Sequence, residues 1–378
     1  MDRTQATKII TDLLRLVITR EGSDLFLTAG FPPAIKVDGR VQKVSPQVLT
    51  PLHTSAMARS LMNDRQAADF ERSKECNFAI SPTDLGRFRV NAFVQQGQVG
   101  LVLRKIPTQL PQLDAMGLPS VLKDLVMSPR GLFIMVGATG SGKSTSLAAM
   151  LDWRNEQSHG HIITIEDPIE FVHPHKNCIV TQREVGLDTD DWSVALRNAL
   201  RQAPDVVLMG EIRDREAMES AMLFSETGHL CLATLHANSA NQALERIVNF
   251  FPQDRREQLY MDLSLNLRAM VSQRLVPNVT GKGRVAAVEV MINSPLVSDL
   301  IFRGEITEIK EVMKRSTETG MRTFDQALFD LHDGGRITYE DALRFADSAN
   351  DLRLQIKLHS KVSKNRDLTE GTDGVRLL

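Results

Sequence analysis

The chain of 378 residues is 42% hydrophobic and 24% charged, the balance of a globular protein and not of a disordered or fibrous one. Forty-five Lys and Arg against 47 Asp and Glu leave a formal charge of -2, which argues against a chain whose main task is coating nucleic acid. No apolar run approaches the ~20 residues of a membrane span. The first residues, Met1-Asp2-Arg3-Thr4, lack a basic-then-apolar leader. Cys76, Cys178 and Cys231 are too scattered for a disulfide framework or a metal knuckle. The expectation is a cytoplasmic protein of two or three domains, with no direct membrane insertion and any membrane contact made through a partner.

Ile9, Ile10, Leu13, Leu14, Leu16 and Val17 recur at helical spacing, and Gly22-Ser23 ends that helix. Leu25 and Leu27, then Ile35 and Val37, alternate as strands, with Asp38-Gly39 as a two-residue hairpin turn. Phe88, Val90 and Ala92, then Val99, Leu101 and Leu103, continue the strand pattern. Residues 1–105 therefore read as a small α+β domain. Pro107, Pro111, Pro119 and Pro129 mark 106–130 as a linker carrying a short helix from Val121 to Met127. From 131, apolar strands at 132–136, 161–165, 205–209 and 230–235 alternate with helical segments. That is the pattern of an α/β core with a mostly parallel sheet, here 131–285. Residues 286–359 read as helical, with Phe324, Leu328 and Leu331 as one stripe, and 360–378 as a polar, disordered tail.

Gly137-Ala138-Thr139-Gly140-Ser141-Gly142-Lys143-Ser144-Thr145 matches GxxxxGK[ST] between a strand and a helix. Its glycines let backbone N–H groups turn inward around phosphate, and the helix start adds partial positive charge. Lys143 would reach the β- and γ-phosphates and the Ser144 hydroxyl would ligate Mg²⁺. The strand Ile162–Ile165 ends in Glu166, Asp167 and Glu170, and Val206–Met209 ends in Gly210-Glu211, where such sites carry a carboxylate for the cation or for water. Leu230–Leu235 is flanked by His229 and His236, and neutral imidazoles can sense a γ-phosphate or hold a carboxylate. Arg87, Arg89 and Arg104 lie on N-terminal strands, and Arg213 and Arg215 follow Glu211; such guanidiniums can act as fingers on phosphate. Spacing leaves open which of Glu166, Glu170 and Glu211 activates water, and which histidine senses phosphate.

In this order Gly137–Thr145, Ile163–His173, Asp205–Arg213 and Gly228–His236 resemble the Walker A, Asp, atypical Walker B and His boxes of secretion-type hexameric ATPases. Ser23–Gly30 and Gly86–Phe93 resemble the PilT/PilU family of type IV pilus retraction ATPases, and the resemblance spans roughly residues 5–345. It implies a PAS-like N-terminal α+β domain, a RecA-like P-loop ATPase core with a helical C-terminal part, and a homohexamer beneath an inner-membrane pilus platform protein. It also implies ATP and Mg²⁺ as substrate and cation, with Ser144 and Glu211 on the metal side. Glu166 and Glu170 would activate water, His229 and His236 form the His box, and Arg89 and Arg104 reach a nucleotide across a subunit interface. Ala138 stands where PilT usually has Pro, Phe26 where a His is common, and Leu296–Ile301 where PilT has its AIRNLI-like segment. These departures resemble PilU, the PilT paralogue. No four-cysteine insert follows the His box, unlike extension ATPases. The leading reading is an ATP-driven retraction motor and the second a nucleotide-binding accessory to a PilT-like paralogue, with a nucleic-acid translocase disfavoured by charge and by two Trp and two Tyr.

Overall fold

The computed structural model describes residues 1–360. The expected disordered tail falls beyond them, apart from Ser360, which is buried and donates from its hydroxyl to Asp333 at 3.0 Å. The chain forms two compact units: Met1–Leu110 with Ile169–Val172, and Pro111–Pro168 with His173 onward.

In the first unit α1 (Arg3–Thr19) starts on a capping box between Asp2 and Gln5 and buries Ala6, Ile10, Leu13, Leu14 and Val17, residues three or four apart. It is followed by β1 (Asp24–Thr28), β2 (Ala34–Val37), β3 (Arg40–Lys43), α2 (Pro51–Leu61), α3 (Asp64–Ser73), β4 (Glu75–Ile80), β5 (Phe88–Gln95) and β6 (Gln98–Lys105). Among the described residues these strands form one antiparallel sheet in the order β3-β2-β1-β6-β5-β4. Asp38 and Gly39 turn the β2–β3 hairpin with φ of 48° and 78°, the positive pair such a turn needs. Phe88, Val90 and Ala92 of β5 all face the core, as their alternation predicts. Helix α3 gives no such signal, because Phe70 alone of its residues is buried.

The second unit runs α4 (Val121–Val126), β7 (Gly131–Val136), α5 (Lys143–Gln157), β8 (Gly160–Glu166), β9 (Cys178–Glu184), α6 (Trp192–Ala199), β10 (Val206–Met209), α7 (Arg215–Glu226), β11 (Leu230–Leu235), α8 (Ala240–Asn249), α9 (Arg256–Asn266), β12 (Leu267–Pro277) and β13 (Arg284–Ile292). Helices α10 (Pro295–Phe302), α11 (Ile309–Arg315), α12 (Phe324–Asp333), α13 (Tyr339–Phe345) and α14 (Ala349–His359) complete it. Its sheet has the order β13-β12-β7-β11-β10-β8-β9, with every neighbouring pair parallel except β12–β13. Strands β7, β10 and β11 are buried at every residue, which is why they read as unbroken apolar runs.

Two expectations need correction. Residues 111–130 are not a free linker: they belong to the second unit, where Leu122 and Val126 are fully buried and Arg154 donates to the carbonyls of Val126 and Ser128 at 2.6 and 2.8 Å. The helical region does not begin at 286 either. The sheet continues through Ile292, since Ala287, Val288, Val290 and Met291 are buried against β12 and the helices.

The register sets the functional edge. Val136 pairs with Leu235, and Met209 with both Ala233 and Ile165. Gly137, Glu166, Gly210 and His236 therefore all leave the carboxyl ends of adjacent parallel strands, where open α/β sheets bind ligands.

Candidate active site

Helix α5 begins at Lys143 behind Gly142, whose φ is 89°, and no side chain caps it. Its first-turn N–H groups are thus left for a ligand. Lys143 is 8% exposed and its ammonium donates to the carbonyls of Gly137 and Ala138 at 2.7 and 2.9 Å. Burial pushes that ammonium below its ordinary pKa, against the pull of Glu211. Ser144 is exposed and Thr145 half-buried on the same turn. The buried Ser141 Oγ has no hydrogen-bond partner among the described residues, an orphan that suits a polar ligand in this loop.

Gln273 of β12, missed in the sequence, holds the loop. Its Oε1 accepts from Ser146 Oγ at 2.7 Å and its Nε2 donates to the Ser141 carbonyl at 2.9 Å. The loop lies so close to β12 that a Cβ on Gly137 would meet the Gln273 carbonyl at 2.8 Å, and one on Gly142 the Gln273 Nε2 at 2.6 Å. The one available signal was the polar pair Ser272-Gln273 inside an apolar run.

Past β10, Gly210 packs where a Cβ would meet the Trp192 ring at 3.2 Å and the Ile165 carbonyl at 3.3 Å. That crowding explains a glycine at the usual acidic position. Glu211 follows. His236 Nε2 stands 3.2 Å from its Oε1, and Arg213 Nε donates to its Oε2 at 2.9 Å while Nη1 lies 3.5 Å from Asp167. The bond to Glu211, ahead of burial, raises the Arg213 pKa. On the neighbouring strand Glu166 accepts from Thr164 Oγ1 at 2.6 Å and from Gln182 Nε2 at 3.3 Å. Ala138 and Thr139 face His236, Asn238 and Arg246 across a cavity of about 440 Å³.

His229 does not join this cluster. His229 precedes β11 while His236 follows it, so six residues at about 3.3 Å each set them roughly 20 Å apart. His229 Nδ1 meets the Phe224 carbonyl at 3.1 Å and Thr227 Oγ1 at 3.0 Å, closing the end of α7. Glu170 is exposed and belongs to the first unit. Arg89 and Arg104 are cross-strand partners there. Arg104 Nε donates to Asp24 at 2.8 Å. Burial opposes the Asp24 charge, but Arg104 and Ser23 outweigh it and hold the carboxyl below its usual range. Among the described residues no cluster of His, Cys, Asp and Glu is arranged as a metal cage, and no helix is long and apolar enough to cross a membrane.

The family model for type II/IV secretion system proteins matches residues 2–331. The chain is 60% identical to the type IV pilus ATPase PilU of Pseudomonas aeruginosa, over 95% of this chain and 94% of that one. It is 43% identical to that organism's type IV pilus retraction ATPase PilT, over 88% and 96% of the two chains. Among solved structures, the pilus retraction motor PilT with bound ADP superposes with a TM-score of 0.85 at 38% identity, over 91% of this chain and 98% of that one. The Legionella pneumophila ATPase DotB superposes at 0.78 with 26% identity, over 90% and 95%. With the P-loop, Glu211 and His236 on one strand edge, these likenesses show that the chain belongs to the PilT/PilU family of type IV pilus ATPases among the type II/IV secretion system proteins.

Proposed function

We propose that the chain is an ATP-hydrolysing motor of type IV pilus retraction and twitching motility, PilU-like in kind. The observation that carries the reading is the shared strand edge: an uncapped P-loop helix beside a Glu211 clasped by His236 and Arg213. The Gly137–Thr145 amides and Lys143 would cradle the phosphates of ATP. Glu166 and Glu211 would orient the attacking water and take its proton, with His236 and Arg213 fixing the Glu211 carboxylate. The Ser144 hydroxyl and Glu211 are hard oxygen donors of the sort Mg²⁺ takes, and the cation would neutralise phosphate charge there. Among the described residues no hydrogen bond or ion pair holds the Arg89 guanidinium, which favours it over Arg104 as the one that reaches a neighbouring subunit's nucleotide.

The first unit is read as PAS-like and the second as RecA-like, assembled as a homohexamer at a cytoplasmic face. The ring would act on an inner-membrane platform protein, alongside a PilT-like paralogue and without nucleic acid. The greater identity to PilU than to PilT, with Ala138, Phe26 and Leu296–Ile301, favours a second reading: an accessory subunit that binds nucleotide and reinforces a paralogous motor. Steady-state ATP turnover by the purified chain, with Lys143→Ala as blank, separates them. Turnover well above the blank supports the autonomous motor. Binding without turnover supports the accessory. Absence of nucleotide binding sinks both.

A further inference from the structure

The loop from His236 to Ala240 is fixed at three backbone groups by side chains from three other places. Arg246 Nη1 donates to the His236 carbonyl at 2.9 Å, Arg274 Nη2 donates to the Asn238 carbonyl at 2.9 Å, and Glu289 Oε1 accepts from the Ala240 N–H at 2.8 Å. Two of these anchors, Arg246 on α8 and Glu289 on β13, sit on elements of the sheet layer. Arg274 differs, because its guanidinium is itself held from the C-terminal helices.

Arg274 Nη1 donates to the Phe345 carbonyl at the end of α13, at 2.7 Å, and Nη2 pairs with Asp347 Oδ1 at 2.7 Å. The guanidinium carbon lies 3.7 Å from the centroid of the Phe324 ring on α12. Asp347 takes a second cation, Lys310 of α11, at 2.7 Å, and its N–H donates to Asp325 of α12 at 2.8 Å. Burial opposes the Asp347 charge, but Lys310 and Arg274 outweigh it and hold the carboxyl below its usual range. Residues of α11, α12 and the α13–α14 junction thus converge on one guanidinium that touches the His236 loop. The residue before it on β12, Gln273, holds the P-loop.

A planar fork bridging three acceptors has a fixed geometry. If Asp347 moves, Arg274 loses its orientation, and the Asn238 carbonyl loses its donor. We propose that Arg274 is a positioning residue that keeps the His236 loop in its turnover geometry only while Asp347 is seated on it, so that the seating of the C-terminal helices regulates hydrolysis. The proposal rests on the reading of the P-loop site as an ATPase.

The test uses the full chain with Arg274→Lys, Asp347→Asn and the double variant, with Lys143→Ala as the turnover blank. Lysine keeps the charge and loses the fork, so it guards against a variant that merely fails to fold. Amide hydrogen exchange is followed by mass spectrometry in peptides covering 236–242 and, as internal control, 143–157. The expected result is exchange at 236–242 faster by about 10-fold or more with 143–157 unchanged. At saturating ATP, kcat should fall about 10-fold or more while affinity for a non-hydrolysable ATP analogue stays within about 2-fold. The double variant should lose less than the sum of the two single losses, since Arg274→Lys and Asp347→Asn share the contact between the two side chains. Wild-type exchange at 236–242, unchanged kcat, or fully additive losses would each overturn the clasp. Absence of wild-type turnover above the blank would instead overturn the ATPase reading and with it the regulatory half of the proposal.

Discussion

His236 Nε2 lies 3.2 Å from Glu211 Oε1, and the two residues leave the ends of neighbouring strands. One backbone bond and one side-chain bond set that distance: Ile212 N–H donates to the Thr234 carbonyl at 2.9 Å, and the Thr234 hydroxyl donates to the Gly210 carbonyl. A rigid edge of this sort holds a carboxylate without loop reorganisation. Glu211→Gln keeps the shape and removes the charge. Turnover should fall by about 100-fold or more, with nucleotide binding retained. Single-turnover kinetics alongside analogue titration check this. A variant with near wild-type kcat would remove Glu211 from the chemistry.

Gln273 lies 127 residues from Ser146 in sequence and joins it at 2.7 Å. Gln273→Ala leaves the Ser146 hydroxyl and the Ser141 carbonyl without this partner inside a buried loop. The cost should be about 1–3 kcal/mol of stability, seen as a lower thermal midpoint, together with weaker ATP affinity. Equal ATP affinity in variant and wild type would show that the P-loop holds its shape without β12.

The P-loop was legible because GxxxxGK[ST] is local, and the strands beside it because burial on both faces makes short apolar runs. Gln273 was not legible, since its partners are far away in the chain and an isolated glutamine carries no pattern. The strand β13 was missed as a strand for a related reason: Val285 to Met291 fits a buried helix as well as a buried strand until β12 lies beside it. Four prolines made 106–130 look like a linker, yet Leu113, Leu122, Leu125 and Val126 supply an apolar face that the second unit buries. His229 and His236 are close in sequence, yet the six-residue strand between them sets them apart in space.

Arg104 separates a structural from a trans role. The Asp24 side chain is 5% exposed and that of Arg104 is 69% exposed. Arg104→Ala leaves a buried carboxylate with Ser23 as its remaining side-chain donor. The first unit should lose about 1–3 kcal/mol, read as a lower unfolding midpoint. Asp24→Asn with Arg104→Ala should restore part of it, since the uncompensated charge is then gone. Arg89→Ala, lacking such a partner, should leave the midpoint within about a degree while lowering turnover in the assembled protein. Loss of turnover by Arg104→Ala with no change in midpoint would reverse the two assignments.

Glu289 is 2% exposed, and burial pushes its carboxyl up to about 7 against the pull of the Ala240 N–H. Asp347 raises it further and Lys310 lowers it. The folded value lies above the 4.5 of an unperturbed glutamate, so the unfolded chain gives up this proton first as pH rises. The stability from this group is complete below pH 4.5 and lost as pH climbs through about 7. A shift of that size corresponds to about 3 kcal/mol, several degrees of melting temperature for a unit this large. Glu289→Gln keeps an oxygen for the Ala240 N–H and does not titrate. Its melting temperature should therefore gain on that of the wild type between pH 5 and pH 8, by roughly that several-degree margin. Other titrating groups cancel in the difference. A difference that stays flat across the range would mean that Glu289 is ionised throughout, and that the Ala240 anchor works as a charged cap on α8.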